Sequence, residues 1–332
     1  MFLLVAATAI FAQKSDYGAV SVSGSGNGNR MATIYGDTTV DLNVPSSATV
    51  ARVEYHSARF AAGKLFTITL PFNLKNAGKV KLSGGKFYEF VDIAKESGTW
   101  TVSAKGESVE NLVAHVPYIF IPDSDDGFSI ECGNGNNKIE LESTLEGAKS
   151  VDLGHNWTMR GTYTYKKWED GDPEIGHVYG FAAKEKDVVQ HDGTTKHVTQ
   201  GEFVRAAAGA FIKPMRAYLY YNKASSGSAG RPAANGAHGV QYRENRPDAS
   251  PWSAANGAHN ESIASIDDNN LPETIGLKLL DENGKTTAIG RMDSKTGEMR
   301  IDKWYDLKGR KLGPKPEFSG ICVNKGVVKA LK

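Results

Sequence analysis

The sequence predicts an all-β protein: β-sandwich units, then a flexible linker, then a small C-terminal antiparallel β meander. Three observations carry that prediction. Apolar and polar residues alternate with a period of two from about residue 31 to residue 221. Gly, Asp, Asn and Pro recur between the alternating runs at the spacing of sandwiches and barrels. Hardly any window repeats with the 3.6 period of an amphipathic helix.

The chain opens on MFLLVAATAIFAQ, whose apolar run from Phe2 to Ala12 is too short to cross a bilayer as a helix. Small residues near its end give residues 1–12 the form of a signal-peptide core and cleavage region, although no Lys or Arg precedes the run. A Gly-rich leader is expected over 13–30. Within it GSGNGN, Gly24 to Asn29, has the glycines of a phosphate loop, but the strand-like RMATIYGDTTV follows where such a loop needs a helix. No later stretch reaches the ~18 apolar residues of a membrane helix.

A first β unit is expected over 31–147. LFTITLPF places Phe66, Ile68, Leu70 and Phe72 on one face and Thr67 and Thr69 on a wet one, with Pro71 marking an edge or a bend. TWTVSA sets Trp100, Val102 and Ala104 against Thr99, Thr101 and Ser103. TVDLNV, KFYEFVDI, YIFIP and KIELEST supply further strands. A second β unit packed on the first is expected over 148–222, from WTMRGTYTYKKW, HVYGFAA and AFIKPMRAYLYY. One large sandwich or two smaller ones fit this strand count; two abutting units with a boundary near 145–150 is the expectation adopted.

At Lys223 the composition changes to small and polar residues, with too little apolar surface to offset a chain entropy of roughly 1–2 kcal/mol per residue, so 223–270 reads as a disordered linker. AANGAH occurs in it twice, at Ala233–His238 and Ala254–His259, the pattern of a duplicated tract, with Tyr242 and Trp252 as sticky points for a partner. From residue 271 to 332, turn signals at Asn283-Gly284, Thr296-Gly297, Lys308-Gly309 and Lys325-Gly326 punctuate short apolar runs and predict the meander. A chain end built of hairpins can dock on a receptor by strand addition.

Lys and Arg total 39 against 38 Asp and Glu, so no overall field draws the chain to nucleic acid or an anionic membrane. The two cysteines, Cys132 and Cys322, lie in no Cys-x-x-Cys or Cys/His pattern, and alternation in GFSIECG turns Cys132 inward. Neither Gly-x-Ser-x-Gly nor His-Glu-x-x-His occurs, and no cofactor or metal motif stands out. PDSDDG, Pro122 to Gly127, is one residue short of a calcium loop and reads as an acidic hairpin turn, as does WEDGDPE, Trp168 to Glu174. HDGTTKH, His191 to His197, reads as a hairpin turn with surface histidines.

Sugar-binding β modules stack pyranose faces on exposed aromatic rings. In NWTMRGTYTYKKW strand parity puts Trp157, Met159, Tyr163 and Tyr165 on the core face, and Trp168 on the polar face beside an acidic turn. Trp168 is therefore the leading glycan contact expected, with Tyr218 and Tyr220 next.

The C-terminal segment runs Tyr305, Asp306, Leu307, Gly309 and Arg310, then Gly320, Ile321 and Val323, then Lys325 to Lys329, and Lys332. In that order and spacing it resembles the sorting tails of type IX secretion substrates in Fibrobacter and Bacteroidetes-type bacteria. Cys322 stands where the tails carry an aromatic, and the Asn-Pro-containing strand that opens many of them is missing. VEYHSARFAAGKLFTITLPFNL, HVPYIFIP, MRGTYTY and AFIKPMRAYLYY are similar to a recurrent β module of large surface proteins in the same bacteria. The resemblance implies export to the cell surface or medium, a secretion or sorting machinery as partner of the tail, and a non-catalytic scaffold or adhesion component. Glycans or cell-surface proteins are the further partners expected. A carbohydrate-binding accessory module, or a weakly signalled glycan hydrolase, is the alternative.

Overall fold

The computed structural model describes residues 14–24, 30–96, 98–133, 139–183, 185–189, 193–222, 271–284 and 286–289, and the backbone of short strands between 291 and 331. Strands arranged in several sheets make up the described chain, with no α-helix among them. Its all-β character follows from the period-two alternation, because each pleated strand offers one side chain in two to a core. No helix among the described residues is long and apolar enough to cross a membrane.

A six-stranded sheet runs in the order Ser15–Asp16, Val20–Ser23, Met31–Tyr35, Arg52–His56, Phe128–Cys132, Val80–Ser83. Met31–Tyr35 and Arg52–His56 are parallel; the other neighbours are antiparallel. Val20, Ile34, Val53, Tyr55, Phe128 and Ile130 leave it for a first core. Part of the expected Gly-rich leader is therefore a buried strand: Val20 and Val22 alternate inward and secure the chain start. Cys132 packs partly buried against this core, and burial pushes its thiol pKa up.

The large sheet is ordered Ser150–Gly154, Trp157–Thr162, Arg216–Tyr221, Val178–Phe181, Phe203–Arg205, Thr274–Leu280, Thr99–Glu107, Gly85–Glu96, Pro117–Pro122, Phe66–Thr69, with Thr286–Ile289 added to Thr274–Leu280. It curls until its last strand meets Arg216–Tyr221. There the Thr67 hydroxyl donates to the Ala217 carbonyl at 3.1 Å and accepts from the Ala217 amide at 3.2 Å, and the Thr69 amide donates to the Met215 carbonyl at 3.0 Å. The expected wet face of LFTITLPF is thus buried at Thr67 and Thr69, whose hydroxyls bond backbone in place of water. Pro71 is the corner where the chain leaves this sheet for a three-stranded one of Ala48–Val50, Ile139–Leu141 and Phe72–Asn73.

One stretch of the large sheet is wall to two cores. In Pro117–Pro122, Tyr118 and Phe120 enter the first core while Ile119 enters the second, among Trp100, Trp157, Tyr179 and Phe203. The units expected over 31–147 and 148–222 therefore share one sheet, and the chain crosses between cores at no single boundary. The start of the expected C-terminal meander departs further. Thr274–Leu280 lies inside the large sheet, parallel to Thr99–Glu107 and antiparallel to Phe203–Arg205, with Leu271, Ile275, Leu277 and Leu279 buried in the second core.

The Asn283-Gly284 turn joins that strand to Thr286–Ile289, and Gly284 takes the φ of +78° that its turn requires. Beyond it the backbone forms an Arg291–Met292 and Met299–Arg300 pair and a four-stranded sheet ordered Lys311–Leu312, Trp304–Tyr305, Gly320–Asn324, Val327–Leu331, all antiparallel. Tyr305, Gly320, Ile321, Val323 and Lys329 of the sorting-like motif fall on its strands. Asp306, Leu307, Gly309, Arg310 and Lys332 lie outside the described residues, as do residues 1–13 and 223–270.

A polar cluster is buried beside the first core. His115, with φ +71°, is held by its amide to the Leu70 carbonyl at 2.8 Å and by its carbonyl to the Lys149 amide at 2.9 Å. Burial outweighs the attraction of Glu142 and lowers the imidazole pKa, so the ring is neutral. Tyr163 OH then donates to Nδ1 (2.9 Å), and Nε2–H donates to Glu142 (3.2 Å), which also accepts from Asn73 (2.9 Å). Because the folded pKa lies below the unfolded one, the unfolded chain takes the proton first as pH falls. The contribution is complete above pH ~6.5 and is lost through the folded pKa. Melting temperature should drop between pH 7.5 and pH 5, and His115→Gln should flatten that drop.

Candidate functional site

A cleft of about 180 Å³ opens where the six-stranded sheet, the curled sheet and a small outer two-stranded sheet meet. Ligand pockets usually exceed ~300 Å³, so this one accommodates a ring-sized group, not a whole extended ligand. Asp37 comes from the turn after Met31–Tyr35. A Cβ at Gly36 would stand 2.0 Å from the Tyr55 hydroxyl, so only glycine lets that turn pass over the core. Arg59 comes from the turn after Arg52–His56, and Lys213 and Arg216 flank the point where Pro214 and Met215 (φ +60°) interrupt the strand pattern.

Asp37 is the hub of the charged end. Its Oδ2 accepts from the Ser57 hydroxyl at 2.9 Å and the Arg59 amide at 3.1 Å, while Oδ1 lies 3.6 Å from Arg216 and 3.9 Å from the Arg59 Nε. Arg216 donates to the Thr67 carbonyl at 3.1 Å and sits over the rings of Phe66 and Phe60. Lys213 donates to the Asp37 carbonyl. Burial first, then the Arg59 charge against the pull of Asp37, with a smaller push from Arg216, move the Lys213 pKa down.

The aromatic end corrects the sequence reading. Trp168 is 2% exposed and Tyr218 7%, their rings meeting edge-on at 5.4 Å in a small cluster with Val178 and Ala206. Both line the cleft from below and neither is the exposed platform expected of it. Tyr220 is half-buried and covered by the Arg160 guanidinium 3.5 Å above its ring. Strand parity breaks at Tyr163–Thr164, where the Thr162 hydroxyl accepts the Thr164 amide at 3.1 Å and the chain bends out of the strand. After that bend the faces exchange: Trp168 turns in, and Tyr165 turns out.

The rings that sequence reasoning missed are Phe211, 54% exposed, and Tyr165, 38% exposed, whose centroids lie 5.8 Å apart with the planes tilted by 30°. Phe211 lines the cleft, and the Asp41 carboxylate fixes the Tyr165 amide at 2.7 Å. Lys166–Lys167 pairs with Phe211–Ile212, so Phe211 rides on a short two-stranded sheet and Tyr165 stands immediately before it in the chain. The Lys-Pro step after Ile212 was the available signal, since a Pro breaks alternation and frees the preceding residues from the core.

No protein-family model, no curated protein and no solved structure matches this chain. The site therefore stands on its own geometry. Glu174 in WEDGDPE is not a solvated turn acid: it accepts from the Trp168 indole at 2.9 Å and from Lys166, with Arg160 3.7 Å away. Burial raises its pKa, but the Lys166 and Trp168 hydrogen bonds and the two cations outweigh that and hold it below the ordinary value. Glu174→Gln should cost about 1–3 kcal/mol in chemical denaturation at pH 7, and the loss should vanish below the carboxylate range.

The other sequence candidates stay apart from the cleft. In PDSDDG, Asp125 caps the Ala62 amide at 3.0 Å. His197 sits on an exposed hairpin between Asp187, 2.8 Å from Nδ1, and Glu185, which raise its pKa; His191 is outside the described residues. Among the described residues no group of three or more His, Cys, Asp or Glu is placed to hold a metal ion.

Proposed function

We propose that this chain is an exported, non-catalytic β-sheet protein of the cell surface or medium, acting as an adhesion component that holds a glycan at the cleft. The observation that carries the reading is the exposed Phe211 and Tyr165 pair at the mouth of a ring-sized cleft. A pyranose face packs on such a ring pair through its C–H groups, and the polar groups behind take its hydroxyls. Glycan hydrolysis uses two opposed carboxylates, whereas Asp37 is the one carboxylate among the described residues lining this cleft, and Ser57 and Arg59 already engage it.

Export rests on the apolar start and the sorting-like tail. Because Thr274–Leu280 is part of the body, the tail is assigned to residues after Ile289. A reporter carrying 291–332 behind a signal peptide, in a host with type IX secretion, should reach the surface or medium; a reporter held in the periplasm contradicts this.

Binding is tested by retention of the full chain on insoluble polysaccharides. Phe211→Ala should abolish retention while leaving the melting temperature within a degree or two, since the ring is mostly exposed. Retention indifferent to Phe211→Ala and Tyr165→Ala together would overturn the assignment of the cleft.

A further inference from the structure

Resting on that reading, we infer that the glycan is acidic: an anionic oxygen group carried on a pyranose is held by Arg59 and Lys213 while the ring packs on Phe211. Three cations, Arg59, Lys213 and Arg216, face the single carboxylate of Asp37. Its Oδ2 is taken by Ser57 and the Arg59 amide, while Oδ1 accepts no hydrogen bond and lies 3.6 Å from Arg216 and 3.9 Å from Arg59. Arg216 is spent on the Thr67 and Gly36 carbonyls and is largely buried.

Arg59 is different. Its side chain is 63% exposed, its Nε is 3.9 Å from Asp37, and its terminal nitrogens have no protein acceptor among the described residues. A guanidinium so placed presents the planar fork that carboxylate and sulfate match in bidentate fashion. Lys213 keeps two donors beyond its bond to the Asp37 carbonyl, and it stands two positions from Phe211, so cation and ring address one ligand unit. Burial is the first cause of the depressed Lys213 pKa, and the neighbouring Arg59 charge adds to it against the pull of Asp37. A neutral sugar would leave these cations unanswered; a uronate or a sulfate ester answers them.

Affinity electrophoresis of the full chain separates the cases, using gels cast with polygalacturonate, a sulfated glycan, or neutral xylan, and inorganic sulfate as free competitor. Retardation should be strong with one or both acidic polymers, should weaken as salt rises, and should fall at least tenfold in affinity for Arg59→Ala and for Lys213→Met. Preference for polygalacturonate identifies carboxylate as the group, and preference for the sulfated glycan identifies sulfate. Equal retardation by xylan, unmoved by Arg59→Ala but lost with Phe211→Ala, overturns the acidic inference and leaves glycan binding intact. No retardation by any polymer overturns both. Competition by inorganic sulfate as effective per site as the polymer overturns the sugar half of the inference.

Discussion

A chain ending at Asn222 is expected not to fold, although sequence reasoning would treat 14–222 as a complete body. Thr274–Leu280 fills the seam between Phe203–Arg205 and Thr99–Glu107. Its loss opens two strand edges at once and removes Leu271, Ile275, Leu277 and Leu279 from the second core. Each fully buried aliphatic side chain contributes about 1.5–3 kcal/mol, so the set approaches the ~5–15 kcal/mol that stabilises a domain. The truncated chain should bind a hydrophobic dye, aggregate and show no cooperative melt. Adding a synthetic peptide spanning 271–289 should restore a melt by strand addition. A cooperative transition within a few degrees of the full chain would show that the seam closes without this strand.

Trp168→Ala is expected to cost about 3–5 kcal/mol of folding stability, the range for emptying a buried aromatic site. The indole is almost fully buried, packs edge-on against Tyr218, and donates to Glu174. Removing it opens a cavity under the cleft and strips Glu174 of a hydrogen bond in a half-buried place. Trp168→Phe keeps most of the apolar contact and should cost about 1–3 kcal/mol, mainly the lost N–H donor. Urea denaturation of the three proteins decides it. A loss below ~0.5 kcal/mol for the alanine variant would mean that the ring is exposed after all, as strand parity suggested.

Much of the architecture is readable from local pattern, and what is not readable is long-range. The alternation in TWTVSA predicts the inward set Trp100, Val102 and Ala104, all buried. YIFIP, apolar throughout, reads as a strand, and its continuous run reflects two buried faces: Phe120 serves one core and Ile119 the other. Nothing local says that Val20 belongs beside Ile34, or that Ile275 returns past a long polar tract to pair with Phe203, because pairing partners depend on what the rest of the chain leaves open.

The site was hidden for a related reason. Trp168 and Tyr218 share a face with polar neighbours in sequence, yet the small Lys166–Lys167 and Phe211–Ile212 sheet folds over that face and covers it. One hydroxyl, that of Thr162, sets the bend that exchanges Tyr165 for Trp168 at the surface. Arg59, Lys213 and Arg216 are scattered along the chain as ordinary charges, and only the closure of the curled sheet against the six-stranded one gathers them round Asp37.

Hydrogen–deuterium exchange on the intact chain, with and without saturating soluble acidic polysaccharide, tests the binding cleft most directly. Slowed exchange is expected in the turn around Ser57–Arg59 and in the segment from Phe211 through Ala217, with the Asn283-Gly284 hairpin unchanged. Exchange unaltered at both cleft segments while the polysaccharide is demonstrably bound would place the contact elsewhere and contradict the account.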